Sequence, residues 1–319
     1  MAGGAGEGNG PYKTLADVWA GELSGEGGRE AWYAKATEYW QAQEATLSGI
    51  LGGFPETNEP DLRGSRRFLE TLRRKVPPLR FGSALDCGAG TGRVAAGLLL
   101  DLFERVDLVE QDERLLAAAQ RELQGPRVGR FTASSMQQFE PEEDMYDMVW
   151  LQWVLMYLPD DDLLKFLRRC TLGLTDTGVI CIKENVVLEG NFTIDWDDNS
   201  VARLDAQYKA IFGRAGLYVV EEQEQPDWPS QLIPVKMYAL RQKPGLRKPV
   251  LPRSPEQRDR HEEDERLQVE QQSQPQRQPR PQSQLELQPR SQPQPQLQPQ
   301  KQRERAKRRQ RTSRQQKTM

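Results

Sequence analysis

The sequence predicts a doubly wound α/β fold: a mostly parallel sheet with an antiparallel edge, preceded by helices and followed by a polar tail. Three observations predict it. From residue 83 to 216, short apolar runs alternate with helix-period segments, the pattern of βα units whose helices cover both faces of a parallel sheet. Two successive strand-like runs then close the apolar pattern, "LYVVEEQEQ" and "IPVKMYALRQK", and a polar, Pro-containing loop between them is long enough for a hairpin. From about residue 245 the chain turns to Gln, Pro and Arg, too poor in apolar side chains to offset its ordering entropy, so 245–319 reads as disordered.

The elements come in this order. Residues 1–28, opening "MAGGAGEGNG", read as loose. Over 30–48, Trp32, Ala36, Tyr39 and Trp40 recur at helical spacing, predicting an amphipathic helix that leads into "GILGGF". "SRRFLETLRRKV" predicts a second helix, stopped by Pro77. Then come strand "SALDC", helix "RVAAGLLLDLF", strand "RVDLVE", helix "DERLLAAAQREL", strand "VGRFTAS" and the buried strand "YDMVWLQWVLMYL", which runs into a turn. Helix "DDLLKFLRRCTLGL", turn "TDTG", strand "VICIKEN" and helix "VARLDAQYKAIFGRAG", with its glycine stop, precede the terminal hairpin. Residues 29–244 thus make one domain, long enough for a single substantial core.

The overall charge of −3 hides an asymmetry: residues 245–319 carry 18 Lys and Arg against 9 Asp and Glu, which leaves −12 on the rest. An acidic folded part suits a cationic ligand, whereas a basic tail suits nucleic acid or a nuclear-import receptor; "KQRERAKRRQRTSRQQK" resembles an import signal. Cys87, Cys170 and Cys181 show neither disulfide nor metal spacing and read as buried thiols of a reducing compartment. The N-terminus lacks an apolar signal core, Ala2 excludes myristoylation, and no run is apolar enough to span a bilayer. The expected location is cytoplasm, nucleus or both, without membrane contact. The only histidine is His261, in the tail, so the domain has no imidazole for a triad, a proton shuttle or a zinc site.

The candidate site is the loop "SALDCGAGTGR". Its glycines, Gly88, Gly90 and Gly92, permit positive φ and close ligand approach, and the next helix offers free N–H groups. The spacing is G-x-G-x-G rather than the dinucleotide G-x-G-x-x-G, and Asp86 just before it favours a ligand carrying positive charge over a pyrophosphate. Some twenty residues on, Glu110 ends "VDLVE", where a carboxylate can accept both ribose hydroxyls of an adenosine.

This D-x-G-x-G-x-G loop, acidic strand tip and antiparallel final strands resemble the class I S-adenosylmethionine-dependent methyltransferases and their Rossmann-like sheet; a nicotinamide dehydrogenase is the alternative, but no hydride-site acid or base is evident. "ALDCGAGTGR", "YDMVWLQWVLMYLPD", "FLRRC", "VICIKEN" and "DWDDNSVAR" narrow the likeness. They resemble the protein α-N-terminal methyltransferases, which act on the free amine of proteins beginning X-Pro-Lys. The resemblance runs from about residue 30 to 241. It implies S-adenosylmethionine as cofactor, held by Gly88, Gly90, Arg93, Glu110 with its neighbour Gln111, Met136, Gln137 and Gln152. On the substrate side it implies Tyr39, Trp40, Leu51, Trp153 and Ser200, with Trp153 against the proline and with Asp195 and Asp198 near the amine and the third-position lysine. Asn185 aligns the amine, and Asp198 with Tyr157 completes the catalytic group.

Two departures accompany the match. The family has a histidine where this chain has Tyr157, and a tyrosine that bonds substrate backbone where this chain has Ile233. A phenol is a poor base near neutrality, so proton removal falls to Asp198, directly or through water. Two other readings stay open on the sequence: methylation of a different amine, and a cofactor-binding homologue weakened in catalysis.

Overall fold

A computed structural model describes residues 7, 8, 10–76, 78–246 and 248; residues 1–6 and nearly all of the tail lie outside them. Strand β1 (Glu7–Gly8) and helices α1 (Leu15–Glu22), α2 (Gly28–Ala42), α3 (Leu47–Ile50) and α4 (Asn58–Lys75) come first. The stretch up to residue 28, expected to be loose, therefore carries a helix. Thr14 caps α1 through a reciprocal box with Asp17, and Leu15 and Val18 are buried beside Trp32. The helix expected over 30–48 is interrupted: α2 stops at Ala42, and α3 starts afresh from Thr46, whose hydroxyl accepts from the Gly49 N–H at 3.2 Å. Helix α4 reaches back to Asn58, with Pro60 in its first turn and acidic and basic residues at its opposite ends, matching the helix dipole.

The sheet elements are β2 (Ser83–Cys87), a π-helical turn (Ala95–Leu99) leading into α5 (Leu100–Leu102), β3 (Arg105–Glu110), α6 (Glu113–Glu122), β4 (Val128–Ala133), β5 (Tyr146–Gln152) and α7 (Asp160–Gly173). After them come β6 (Leu174–Val187), β7 (Phe192–Asp195), β8 (Ser200–Leu204), α8 (Asp205–Arg214), β9 (Leu217–Glu224) and β10 (Val235–Gln242). The central order is β4-β3-β2-β5-β6-β10-β9, parallel from β4 to β6, with β10 antiparallel to both neighbours. Strand order reverses between β2 and β5, which opens a crevice at their carboxyl ends. Strand β5 is buried throughout and feeds both faces: Met148 and Trp150 pack with Phe68, Leu72 and Phe103, while Val149 and Leu151 pack with Phe166 and Tyr208.

Two segments differ from the sequence expectation. The turn expected at 175–178 is absorbed into β6 as an irregularity, since Tyr146 pairs with Leu174 but Met148 with Val179. The helix expected from 201 begins only at Asp205; residues 200–204 form β8, which pairs with β7 and, through Arg203 and Leu204, with the end of β6. Val201 is buried against Leu15, Val18 and Trp32, and Arg203 is fully buried with its guanidinium on the Leu158 carbonyl and Asp160. Those contacts outweigh local helix propensity. Among the described residues no helix is long and apolar enough to cross a membrane.

Candidate active site

The three loop glycines all have positive φ, each for its own reason: Gly88 at 70°, Gly90 at 57° and Gly92 at 78°. A Cβ on Gly88 would sit 2.0 Å from Val154 Cγ1, and one on Gly92 2.7 Å from Leu123 Cδ1, so these two are fixed by packing. At Gly90 the nearest atom would be Ile50 Cγ2 at 4.0 Å, leaving bare backbone open to the crevice. The Gly88 and Ala89 N–H groups both donate to the Val109 carbonyl, at 2.8 and 3.0 Å. Glu110 ties loop to strand: its carboxylate accepts from the N–H of Gly90 and of Asp112, each at 2.9 Å. Burial pushes its carboxyl up, and two bonds leave acceptor sites for a diol.

All eight residues expected at the cofactor, Gly88, Gly90, Arg93, Glu110, Gln111, Met136, Gln137 and Gln152, line one cavity over the β2, β3 and β5 ends. Asp86 lines it too. Its Oδ2 is buried without a hydrogen-bond partner among the described residues, and burial pushes its carboxyl up to about 7. A cation brought into the cavity would satisfy that oxygen and restore the charge. Gln137 Oε1 is likewise buried and unpartnered, an acceptor awaiting an N–H. Met136 and Gln137 are held by their carbonyls, both of which accept from Arg169.

Behind the cavity lies a polar network that the sequence does not announce. Asp61 and Lys183 are fully buried; Lys183 Nζ lies 2.6 Å from Asp61 Oδ1, and Arg93 Nη1 lies 2.6 Å from Asp61 Oδ2. Gln152 donates to Asp61 Oδ1 at 2.8 Å and accepts from the Trp150 indole at 3.1 Å. Although burial alone would raise the Asp61 carboxyl, the Lys183 and Arg93 charges hold it below the ordinary value. Burial, partly offset by Asp61, brings Lys183 down to about 8. Arg93 and Gln152 therefore reach the cavity from one shared anchor.

A second cavity adjoins the first, and Trp40, Ile50, Trp153 and Tyr157 line both. Leu51, Asn185, Trp228 and Leu232 line only the second. Trp153 holds a left-handed φ of 54°, its N–H bound to the Lys183 carbonyl at 3.0 Å. The Arg93 guanidinium lies 5.6 Å from the Trp153 ring centroid, and the indole N–H is buried without a partner among the described residues. Glu184 fixes the turn after Trp153, accepting from the Val154 and Leu155 N–H groups at 2.8 and 2.7 Å.

Tyr157 stands at the junction and donates its hydroxyl to Asp198 Oδ2 at 3.0 Å, while the Ser200 N–H donates to Asp198 Oδ1 at 2.9 Å. Burial raises the Asp198 carboxyl above its ordinary value, and burial with the Asp198 charge holds the phenol well above 10. Four expected residues, Tyr39, Asp195, Asp198 and Ser200, line neither cavity. Asp198 and Ser200 connect to the junction through Tyr157. Asp195 ends β7 and accepts from the Asp197 N–H at 2.9 Å. The Tyr39 ring meets Trp40 edge-on at 5.4 Å, and burial, then the charges of Asp198, Asp195 and Asp197, raises its hydroxyl. Asp61, Lys183, Glu184, Ile50 and Trp228 were not singled out from the sequence. None carried a local hint: Asp61 falls in the first turn of α4 only because that helix starts at Asn58, ahead of the sequence expectation.

Comparison with known proteins agrees with this architecture. The chain is 41% identical over 242 residues to an alpha N-terminal protein methyltransferase 1 of Oryza sativa subsp. indica, covering 71% of this chain and 77% of that one. It is 38% identical over 213 residues to an N-terminal Xaa-Pro-Lys N-methyltransferase 1 of Xenopus tropicalis, covering 66% and 95%. A solved SAM-dependent methyltransferase of Leishmania major superposes with a TM-score of 0.68 at 40% identity, covering 72% of this chain and 92% of that one. The family described as AdoMet dependent proline di-methyltransferase matches residues 28–241, and the chain belongs to that S-adenosylmethionine-dependent family.

Proposed function

We propose that the protein methylates the free α-amino group of proteins that begin Xaa-Pro-Lys once the initiator Met is removed. The observation that carries this reading is the meeting of two cavities at Trp40, Trp153 and Tyr157, one floored by the glycine loop, the other walled by aromatic rings, with Asp195, Asp197 and Asp198 nearby. An N-terminal peptide with a third-position lysine is a dication, which suits those acids and the negative domain. The relatives named for N-terminal methylation point the same way.

Bound S-adenosylmethionine supplies an electrophilic methyl group on a sulfonium. Gly90 and Glu110 would hold its ribose side, Met136 and Gln137 with the unpartnered amide oxygen its adenine, and Arg93, Gln152 and Asp86 its charged amino-acid end. Gln111 lies beside the strand tip on the same wall. On the other side Trp153 and Leu51 would pack the peptide, Asn185 would orient its amine, and Tyr39, Asp195 and Ser200 would support the rim for its lysine.

Proton removal asks little of the protein. A terminal amine with a pKa near 7.7–8.0, against about 10.4 for lysine, is about one-tenth neutral at pH 7, a cost of about 1 kcal/mol. Because Tyr157 separates Asp198 from the cavities, the ammonium would pass a proton to the phenol oxygen as the phenol passes its own to Asp198. Burial makes Asp198 a better acceptor than an exposed carboxylate. Aligning the amine would supply most of the acceleration.

The test is mass spectrometry of a Ser-Pro-Lys-Arg peptide and its N-acetylated twin after incubation with protein and cofactor. Mass gain on the free peptide alone supports the reading. Gain on both means lysine methylation, and cofactor binding without any gain means either a different amine substrate or a homologue weakened in catalysis. The tail, outside the described residues, would add contact with nucleic acid or an import receptor and a cytoplasmic and nuclear location.

A further inference from the structure

We infer that Trp228 is a specificity-determining residue, forming with Trp153 the wall that favours proline at the second position of the substrate. The inference rests on the N-terminal methylation reading. Trp228 sits in the loop between β9 and β10, and its ring centroid lies 6.0 Å from that of Trp153 at an interplanar angle of 42°. The loop is fastened to α4: the Gln225 side chain donates to the Pro60 carbonyl at 2.9 Å, and Asp227, with φ 56°, pairs with Arg63 at 3.3 Å. The indole N–H of Trp228 donates to the Ile233 carbonyl at 3.0 Å, which fixes the ring.

Two features select proline. A prolyl ring is compact and offers aliphatic C–H groups to two aromatic faces. It also has no N–H, whereas any other second residue brings one into the cavity and needs an acceptor there. Three acceptors there are committed: in the methylation reading the Tyr157 oxygen and Asn185 face the substrate amine, and the Ile233 carbonyl, next in the chain to lining Leu232, already accepts from Trp228. The unpartnered Trp153 indole is a donor, matched to a peptide carbonyl and not to a further N–H.

The experiment compares kcat/KM for Ser-Pro-Lys-Arg and Ser-Ala-Lys-Arg peptides in the full chain and in Trp228→Leu and Trp228→Phe. The unaltered protein is expected to prefer proline by about tenfold or more. Trp228→Leu should reduce that ratio by about fivefold, chiefly through a higher KM for the proline peptide. Trp228→Phe keeps a ring but frees the Ile233 carbonyl, so the proline KM should hold while the alanine peptide improves. A ratio in Trp228→Leu within about twofold of the unaltered one overturns the inference. Calorimetric affinities of both peptides with S-adenosylhomocysteine present separate the two claims. Discrimination that depends on Trp228 without turnover leaves the wall standing and removes the methylation reading; turnover with equal affinities in all three proteins removes the wall alone.

Discussion

Replacing Asp61 with asparagine tests whether the buried network is built around a charge. The change is nearly isosteric, yet it takes away the carboxylate that lies 2.6 Å from both the Lys183 and the Arg93 cations. Removing one partner of a buried ion pair destabilises by about 3–5 kcal/mol, a large share of the 5–15 kcal/mol typical of a domain. Lys183 gives the loss a pH signature. Its folded pKa of about 8 lies below the ordinary lysine value near 10.4, so between the two the unfolded chain binds more protons and stability rises with pH. Without Asp61 the folded value falls further, and that rising window extends down through neutrality. At about pH 6 the variant must keep Lys183 charged and unpaired, and the loss approaches the top of the range. At about pH 8.5 Lys183 is largely neutral in both proteins, and what remains is the loss at Arg93. Guanidinium unfolding monitored by tryptophan fluorescence at the two pH values measures both. A loss below about 1 kcal/mol at pH 6, or one equal at both pH values, would refute a charge-centred anchor.

Four further substitutions probe the same geometry. Asp198→Asn should lower kcat by about a hundredfold or more while leaving S-adenosylhomocysteine affinity nearly unchanged, because Asp198 touches the junction and not the cofactor wall; titration calorimetry and steady-state rates check both. Trp153→Ala should raise the peptide KM by about tenfold, since it removes the ring shared by both cavities; a change below about twofold would count against the proline contact. Gly88→Ala should abolish the stabilisation of the melting transition by S-adenosylhomocysteine, because its Cβ would lie 2.0 Å from Val154 Cγ1, whereas Gly90→Ala, with nothing nearer than 4.0 Å, should cost only about 1 kcal/mol of positive-φ strain.

The parts of the fold legible in the sequence were those set by local pattern. "RVDLVE" and "SALDC" are β3 and β2 residue for residue, because strands buried on both faces show as short apolar runs between turn signals. The cofactor wall was legible for a related reason: in a parallel sheet every strand end points to the same crevice, so a motif at one end locates the others. Strand β8 was not legible. "SVARL" takes a strand because it pairs along its length with β7, because Arg203 and Leu204 meet Val186 and Val187, and because Val201 packs on helices from the other end of the chain. Asp61 and Lys183 are 122 residues apart, and nothing near either reveals that they meet.

The family resemblance made Tyr157 the weak point, since a phenol replaces an imidazole there. Its surroundings change what that substitution means. Tyr157 is bound at both ends of its residue: the Trp32 indole donates to its carbonyl at 3.1 Å, and its hydroxyl donates to Asp198. Trp40 meets its ring edge-on at 6.4 Å. A phenol held so firmly cannot act as a free base, and burial beside Asp198 disfavours its anion further. It can still move a proton without ever ionising, provided it gains one as it loses one. That sets a requirement on the substrate rather than on the protein. An α-amine near pKa 8 can release its proton into such a relay, whereas a lysine ε-amine near about 10.4 needs a stronger acceptor than this site contains. In the proposed relay the loss of the imidazole would sharpen selectivity for terminal amines, and the rate would depend on Asp198, whose carboxyl burial raises above its ordinary value.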